Sequence, residues 1–305
     1  MSRRLEAAAV ALGVLLGACR RAPPPPGGAP VAASPTACGY PVALRDDRGI
    51  DVTVRAEPLR IASLLPSHTE TLFALGLGAR VVGIDDYSGD VPGAAGLPRL
   101  GGLYDTRVEP LLSLTPDLVL MSEASGAGAV LQRSGLTVWG ASARRFDDIF
   151  TVIGAIGRMV CKAPEAARLA AEIRAEVAGL ESRLAGLERV RVYYELDATP
   201  YTVGPLSFIG TMLAKAGGED IVPADVGDFP KISPEAVIAG DPAVILGASL
   251  EEVRRRPGWS AIAAVRAGRV YEMTPEEAAL VARPGPRIAD GLRTLVRRIH
   301  PEVAL

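Results

Sequence analysis

One short phrase occurs twice in this chain, and no other feature constrains the fold as much. "EPLLSLTPDLVL" fills residues 109–120 and "EAVIAGDPAVIL" fills residues 235–246. Each copy opens with a glutamate at the head of a short amphipathic pattern. A proline seven positions later ends that pattern, and an apolar run of strand character follows. Glu109 and Glu235 lie 126 residues apart. A helix–strand unit repeated at that distance predicts two lobes of one plan, each an alternation of strands and helices.

The flanking sequence extends the repeat. From Arg60, "RIASLLP" reads as a strand, "SHTETLFALG" as a helix stopped by Gly76, and "RVVGID" as the next strand. A helix near 126–134 and the strand "TVWG" follow the first copy. Around the second copy come the strand "RVYYEL", the helix "SFIGTMLAKAGG", a helix containing Trp259 and the strand "RVYEM". Two helical patterns lie between the halves, "RFDDIFTVIGAIGRMV" and "APEAARLAAEIRAEVAGLESRLAGLE", with no glycine-serine linker. The class is therefore α/β with a stiff helical connector. A cleft between such lobes is a natural small-molecule site.

The N-terminus belongs to export rather than to the fold. Arg3 and Arg4 precede the apolar run "AAAVALGVLLGA", too short to span a membrane as a mature helix. The run ends in Gly17 and Ala18 before Cys19, which resembles the bacterial lipoprotein signal, whose cysteine is lipidated and becomes the mature N-terminus. Residues 1–18 are then the signal. An ordinary secretory signal cut nearby is the alternative. Residues 19–37 read as a tether, because the Pro-, Gly- and Ala-rich stretch at 22–37 cannot build a core and would span roughly 50 Å if extended at about 3.1 Å per residue. Outside the lipidation site only Cys38 and Cys161 remain; export permits a disulfide, and two free or buried thiols are the alternative. A formal charge of −2, with no basic stripe, argues against nucleic acid as a partner.

Few residues tempt a catalytic reading. Ser67, His68 and Glu70 are adjacent, but one helical turn does not align a nucleophile, base and orienter. Ser67 and Glu70 read better as a capping box. Only two histidines, His68 and His300, are present, so a protein metal site is not expected. His68, read as a loop residue, could at most ligate the iron of haem or the cobalt of a corrinoid. "GLGARVVG" leads from helix to strand, the reverse of a dinucleotide loop. Aromatics say more, because they make up only 5% of the chain. Tyr87, Tyr104, Tyr201 and Phe229 all fall in loops rich in Gly, Pro or Asp, where together they could wall a large planar ligand. Glu109 and Glu235 complement their helix dipoles, with Ser233 and Pro234 capping the second copy. As a matched pair they could also meet basic sockets on a symmetric partner.

Several phrases together, "RIASLLPSHTETLFALGLGARVVGIDDYSGDVP", "VEPLLSLTPDLVL", "ISPEAVIAGDPAVILG", "RPGWSAIAAVRAGRVYEM" and "RPGPR", resemble a known family. It is that of the helical-backbone substrate-binding proteins of iron-siderophore, haem and cobalamin ABC importers, above all their cobalamin-binding branch. The resemblance runs from about Tyr40 to His300. It implies two Rossmann-like α/β lobes, at 38–145 and 162–305, joined by a single long helix at 146–161, with the ligand held between them. It implies a non-enzymatic, periplasmic, monomeric binding protein with no resident cofactor, delivering a corrinoid to a transporter. Glu109 and Glu235 match docking glutamates that pair with arginines on the transmembrane subunits. Tyr87, Tyr201 and Phe229 match positions around the corrin ring, and Arg283 a basic position near the ligand. Leu103, with Tyr104 beside it, and Ser122 stand where this branch carries tryptophans. Haem would want an axial Tyr or His; an anionic siderophore would want several convergent arginines. A cleft hydrolase using Ser67, His68 and Glu70, or a ligand sensor, are the readings of another class.

Overall fold

The structure is a computed structural model that describes residues 39–305. The signal, Cys19, the tether and Cys38 lie outside the described residues. Cys161 is disulfide-bonded.

The first element is an antiparallel hairpin, β1 (Val42–Arg45) and β2 (Asp51–Val54), which the sequence reading passed over. Its turn is built on Asp46, whose carboxylate accepts the amides of Arg48 and Ile50 at 3.0 Å each. The same carboxylate accepts the amide of Gly140, also at 3.0 Å, which pins the hairpin to the end of the first sheet.

That sheet contains β3 (Ile61–Ser63), β4 (Val81–Ile84), β5 (Leu118–Met121) and β6 (Val138–Gly140), all parallel, in the order β4-β3-β5-β6. Helices α1 (Pro66–Ala74), α2 (Val108–Ser113) and α3 (Gly128–Arg133) make the crossovers. Every residue of β5 is fully buried, as expected of a parallel strand covered on both faces.

The chain leaves this sheet through α4 (Asp148–Met159) and α5 (Ala163–Leu184). The segment 146–161, expected to cross alone, supplies the shorter of these two helices. α5 buries Ala166, Ala170, Ile173, Val177, Leu180 and Leu184, an apolar stripe with alternating steps of three and four residues. The helices pack antiparallel: Arg174 stacks on the Phe150 ring, and Gly157 meets Ala166 nearer the elbow. A Cβ on Gly157 would stand 2.3 Å from that of Ala166, so the close approach requires glycine.

The second sheet repeats the first. β7 (Val190–Asp197) lies between β9 (Gly218–Asp220) and β10 (Val244–Leu246), and β11 (Val270–Tyr271) pairs beyond β10, all parallel. The order β9-β7-β10-β11 is that of β4-β3-β5-β6. A two-residue strand, β8 (Tyr201–Thr202), adds antiparallel to the far end of β7. The helices of this half are α6 (Phe208–Lys215), α7 (Pro234–Gly240), α8 (Leu250–Arg255), α9 (Ala263–Ala267), α10 (Pro275–Ala282) and α11 (Ile288–Ile299). Trp259 was expected in a helix; it heads a single 3-10 turn, Trp259–Ala261, between α8 and α9, because Pro257 and Gly258 break the run before it.

Both sheets share one core. It runs from Leu72 and Ile84 through Ile153 of α4 and Ile173 of α5 to Met212 and Leu292. Smaller apolar clusters lie around Leu111 in the first half and Trp259 in the second.

Candidate functional site

Parallel strands deliver their following loops to one edge of the sheet, the usual place for a ligand in open α/β folds. In the first half, residues 85–107 leave the end of β4 and carry Tyr87, Leu103 and Tyr104. A buried polar chain fixes the start of this loop. Asp85 accepts the Tyr87 amide at 2.8 Å and the Ser88 hydroxyl, and Thr69 Oγ1 lies 2.8 Å from Ser63 Oγ and 3.0 Å from Ser88 Oγ. Tyr87 stays 71% exposed above that anchor and Tyr104 89% exposed. Gly102 packs beneath the Tyr87 ring and donates its amide to Asp105 at 2.8 Å, which ties the turn bearing Leu103 and Tyr104 to Tyr87. Leu103 is half-buried, and Ser122 is buried with its hydroxyl on Glu123.

In the second half, Tyr201 and Phe229 come together through the backbone. Thr202 donates to the Pro230 carbonyl at 3.0 Å and Gly204 to that of Asp228 at 2.8 Å, while Tyr201 bridges to Lys231. Tyr201 is 41% exposed and Phe229 53%. Each lobe thus presents its aromatics at the carboxyl ends of its parallel strands. Leu206, 70% exposed, was missed by the sequence reading although it lies in the same loop region as Tyr201. It borders a cavity of about 560 Å³ between the loop after β6 and α6, lined also by Arg145, Phe146, Thr211 and Lys215.

Other expectations need correction. Ser67 does not cap a helix. α1 begins one residue earlier, with Leu65 in the N-cap position and Pro66 in the first turn, and no side chain caps it. Glu70 faces Arg283 instead, its Oε1 accepting from Arg283 Nη1 at 2.9 Å. His68 is not a loop residue. It is fully buried in α1, its ring 5.6 Å from that of Trp139, and no well-aligned hydrogen bond reaches either ring nitrogen. Burial lowers its pKa to about 4, against the opposing influence of Glu123 and the Ala141 backbone. Ser67 is buried as well, so neither side chain is open to solvent. Arg283 does reach the site, but its guanidinium is already bound by Glu70 and Asp90.

Glu109 and Glu235 are exposed in the first turns of α2 and α7, with no ion pair among the described residues. Ser233 caps α7 by accepting the Ala236 amide at 3.1 Å, and Pro234 fills the first turn. A cavity of about 310 Å³ opens beside Glu235, walled by Pro200, Pro234, Pro257 and Trp259. Among the described residues no cluster of three His, Cys, Asp or Glu could hold a metal ion, and no helix is long and apolar enough to cross a membrane.

Comparison with known proteins decides what this arrangement is. The family model described as periplasmic binding protein matches residues 61–277, spanning both sheets. The chain belongs to the periplasmic binding protein family. Within this family, a protein of Bacillus subtilis (strain 168) named as an uncharacterized ABC transporter substrate-binding lipoprotein, YvrC, is 32% identical over 280 residues, 86% of this chain and 87% of that one. A cobalamin-binding protein of Halobacterium salinarum (strain ATCC 29341 / DSM 671 / R1) is 32% identical over 299 residues, 92% of this chain and 79% of its own. Among solved structures, the periplasmic heme-binding protein RhuT from Roseiflexus sp. RS-1 superposes with a TM-score of 0.70 at 27% identity, covering 79% of this chain and 98% of that one. The two-lobed α/β architecture is thus the family's own.

Proposed function

We propose that this periplasmic binding protein captures a corrinoid, cobalamin, and hands it to an ABC importer. The observation that carries the reading is the paired set of exposed aromatics, Tyr87 and Tyr104 on one lobe, Tyr201 and Phe229 on the other. Flat, rigid rings at the strand ends of both lobes suit a broad ligand that offers apolar faces and a polar periphery. The likeness to the Halobacterium cobalamin-binding protein supports the corrinoid, and the likeness to the Bacillus lipoprotein supports the importer. Leu103 and Ser122 in place of indoles leave a thinner wall, which Leu206 and Tyr104 partly replace. Haem is the second reading, favoured by three exposed phenols, Tyr87, Tyr104 and Tyr201, any of which could ligate iron.

Calorimetric titration of the purified protein with cyanocobalamin, haemin and a ferric siderophore tests the choice. Heat with cyanocobalamin alone is the expected result. Tight haemin binding with no cyanocobalamin signal overturns it.

Glu109 and Glu235 are our transporter contacts, each meeting an arginine of a transmembrane subunit. They occupy equivalent crossover helices of the two sheets, and neither forms an ion pair among the described residues. Replacing both by alanine should abolish ligand-stimulated ATPase activity of the reconstituted importer and leave ligand affinity intact; a parallel loss of affinity would move them into the cleft. Lipidation at Cys19 completes the proposal and anchors the protein at the membrane. Metabolic labelling with a fatty-acid analogue, lost in Cys19→Ser, tests that anchor.

A further inference from the structure

We propose that Arg283 is a positioning residue, which reaches from the second lobe to hold the Tyr87 loop of the first. The chain leaves α10 at Arg283, and the side chain meets carboxylates of the first lobe. Its Nη1 donates to Glu70 Oε1 at 2.9 Å, and its Nη2 donates to Asp90 Oδ2 at 3.1 Å. Both nitrogens lie 3.3 Å from Asp90 Oδ1, and Nη2 lies 3.5 Å from the Tyr87 carbonyl. These partners are 213, 193 and 196 residues away in sequence, so the contact joins halves that fold from separate sheets.

The clamp is built rather than incidental. The Glu70 side chain is 4% exposed and that of Arg283 13%, so both are largely withdrawn from solvent, where a charge-assisted pair is strong and costly to break. Gly285 seats the following turn on α1 so closely that a Cβ would stand 2.7 Å from Glu70 Oε2 and 3.3 Å from the Ser67 Cα. Tyr87 is then held at both ends of its own backbone. Its amide is bound from within its lobe by Asp85, and its carbonyl and the nearby Asp90 are held from the opposite lobe by Arg283. With its donors turned to two carboxylates and a carbonyl, Arg283 acts on a ligand through the ring it positions.

This inference rests on the reading of Tyr87 as a ligand contact, and the first arm of its test does not. Hydrogen exchange on the ligand-free protein compares the parent with Arg283→Ala and with Asp90→Asn; the second variant keeps the Glu70–Arg283 pair. Faster exchange confined to residues 87–91, with α5 unchanged, is expected from both. Unchanged exchange in that segment, or a loss of protection across the whole molecule, overturns the proposal. The second arm is a double-mutant cycle on cyanocobalamin affinity. Asp90→Asn should weaken binding about tenfold when Tyr87 is present and have no effect in a Tyr87→Ala background. Additive losses would mean direct contact with ligand and would overturn the positioning role. If the parent binds haemin and not cyanocobalamin, the corrinoid reading fails while the same cycle, run on haemin, still decides the role of Arg283.

Discussion

His68 is fully buried and Asp220 half-buried, and each carries a buried atom without a partner among the described residues. His68 has no well-aligned partner on either ring nitrogen. Asp220, at the end of β9, accepts the Val222 amide at 3.0 Å with one oxygen and leaves Oδ2 unbonded. Burial lowers the histidine to about 4 and raises the aspartate to about 7. Between about pH 6.5 and 4 the unfolded chain takes up a proton at His68 that the folded protein refuses, so stability falls on acidification, by up to about 3 kcal/mol. Asp220 acts in the other direction: the folded protein keeps a proton that the unfolded chain loses above about pH 4, so stability falls as pH rises to about 7. Allowing for its partial exposure, that loss is on the order of 2 kcal/mol. The two slopes oppose each other, and each shows clearly only when the other is removed. Denaturant titrations should find His68→Leu losing stability from pH 4.5 to 7, and Asp220→Asn losing it in the reverse direction. An unaltered pH profile in either variant would refute the assignment for that residue.

At the level of helices and strands, α1 shows how a polar segment can be core. Ser67 to Leu72 are all buried, although "SHTET" is a run of polar residues. Thr69 is bonded within the Ser63–Ser88 network, Thr71 to the Ser67 carbonyl and Glu70 through Oε1 to Arg283, while both His68 ring nitrogens and Glu70 Oε2 have no partner among the described residues. Those partners lie on β3, the Tyr87 loop and the α10–α11 turn, and no local pattern announces them. By contrast, the apolar runs of β3, β5, β7 and β10 and the Ser233–Pro234 cap were legible, because their signals are local in sequence. The β1–β2 hairpin went unread although its burial alternates, since four-residue strands carry too few positions for a period to stand out. The α4–α5 pair yields a sharp expectation. Alanine is the better helix former by about 1 kcal/mol, yet Gly157→Ala should destabilise the protein by about 1–3 kcal/mol in chemical denaturation, because the new methyl collides with Ala166. A neutral or stabilising result would mean that the two helices can separate without cost.

The whole molecule is two sheets fused by a common core, and the candidate site inherits that rigidity. α4, α5 and α11 bury side chains shared by both halves, and Arg283 adds a polar tie at the cleft. Scattering profiles recorded with and without ligand should therefore nearly coincide; a marked compaction on binding would contradict a stiff connector. The aromatic rims were legible because scarce rings stood in Gly- and Pro-rich loops. The Arg283 clamp was not, because pairing across some two hundred residues is written only in the folded backbone.

The repeated strand order has a further consequence for assembly. It places Glu109 and Glu235 on equivalent crossover helices, which in the proposed docking are the two handles. A partner formed from two identical subunits would meet a similar handle on either side, so two opposite orientations would compete. The surroundings break this degeneracy. Glu235 stands over the cavity walled by Pro200, Pro257 and Trp259, whereas Glu109 stands near Arg107, which is tied to Asp86. A duplicated fold with unequal flanks thus carries a built-in polarity, and a single cysteine placed at each handle in turn would reveal, by cross-linking, whether the partner reads it.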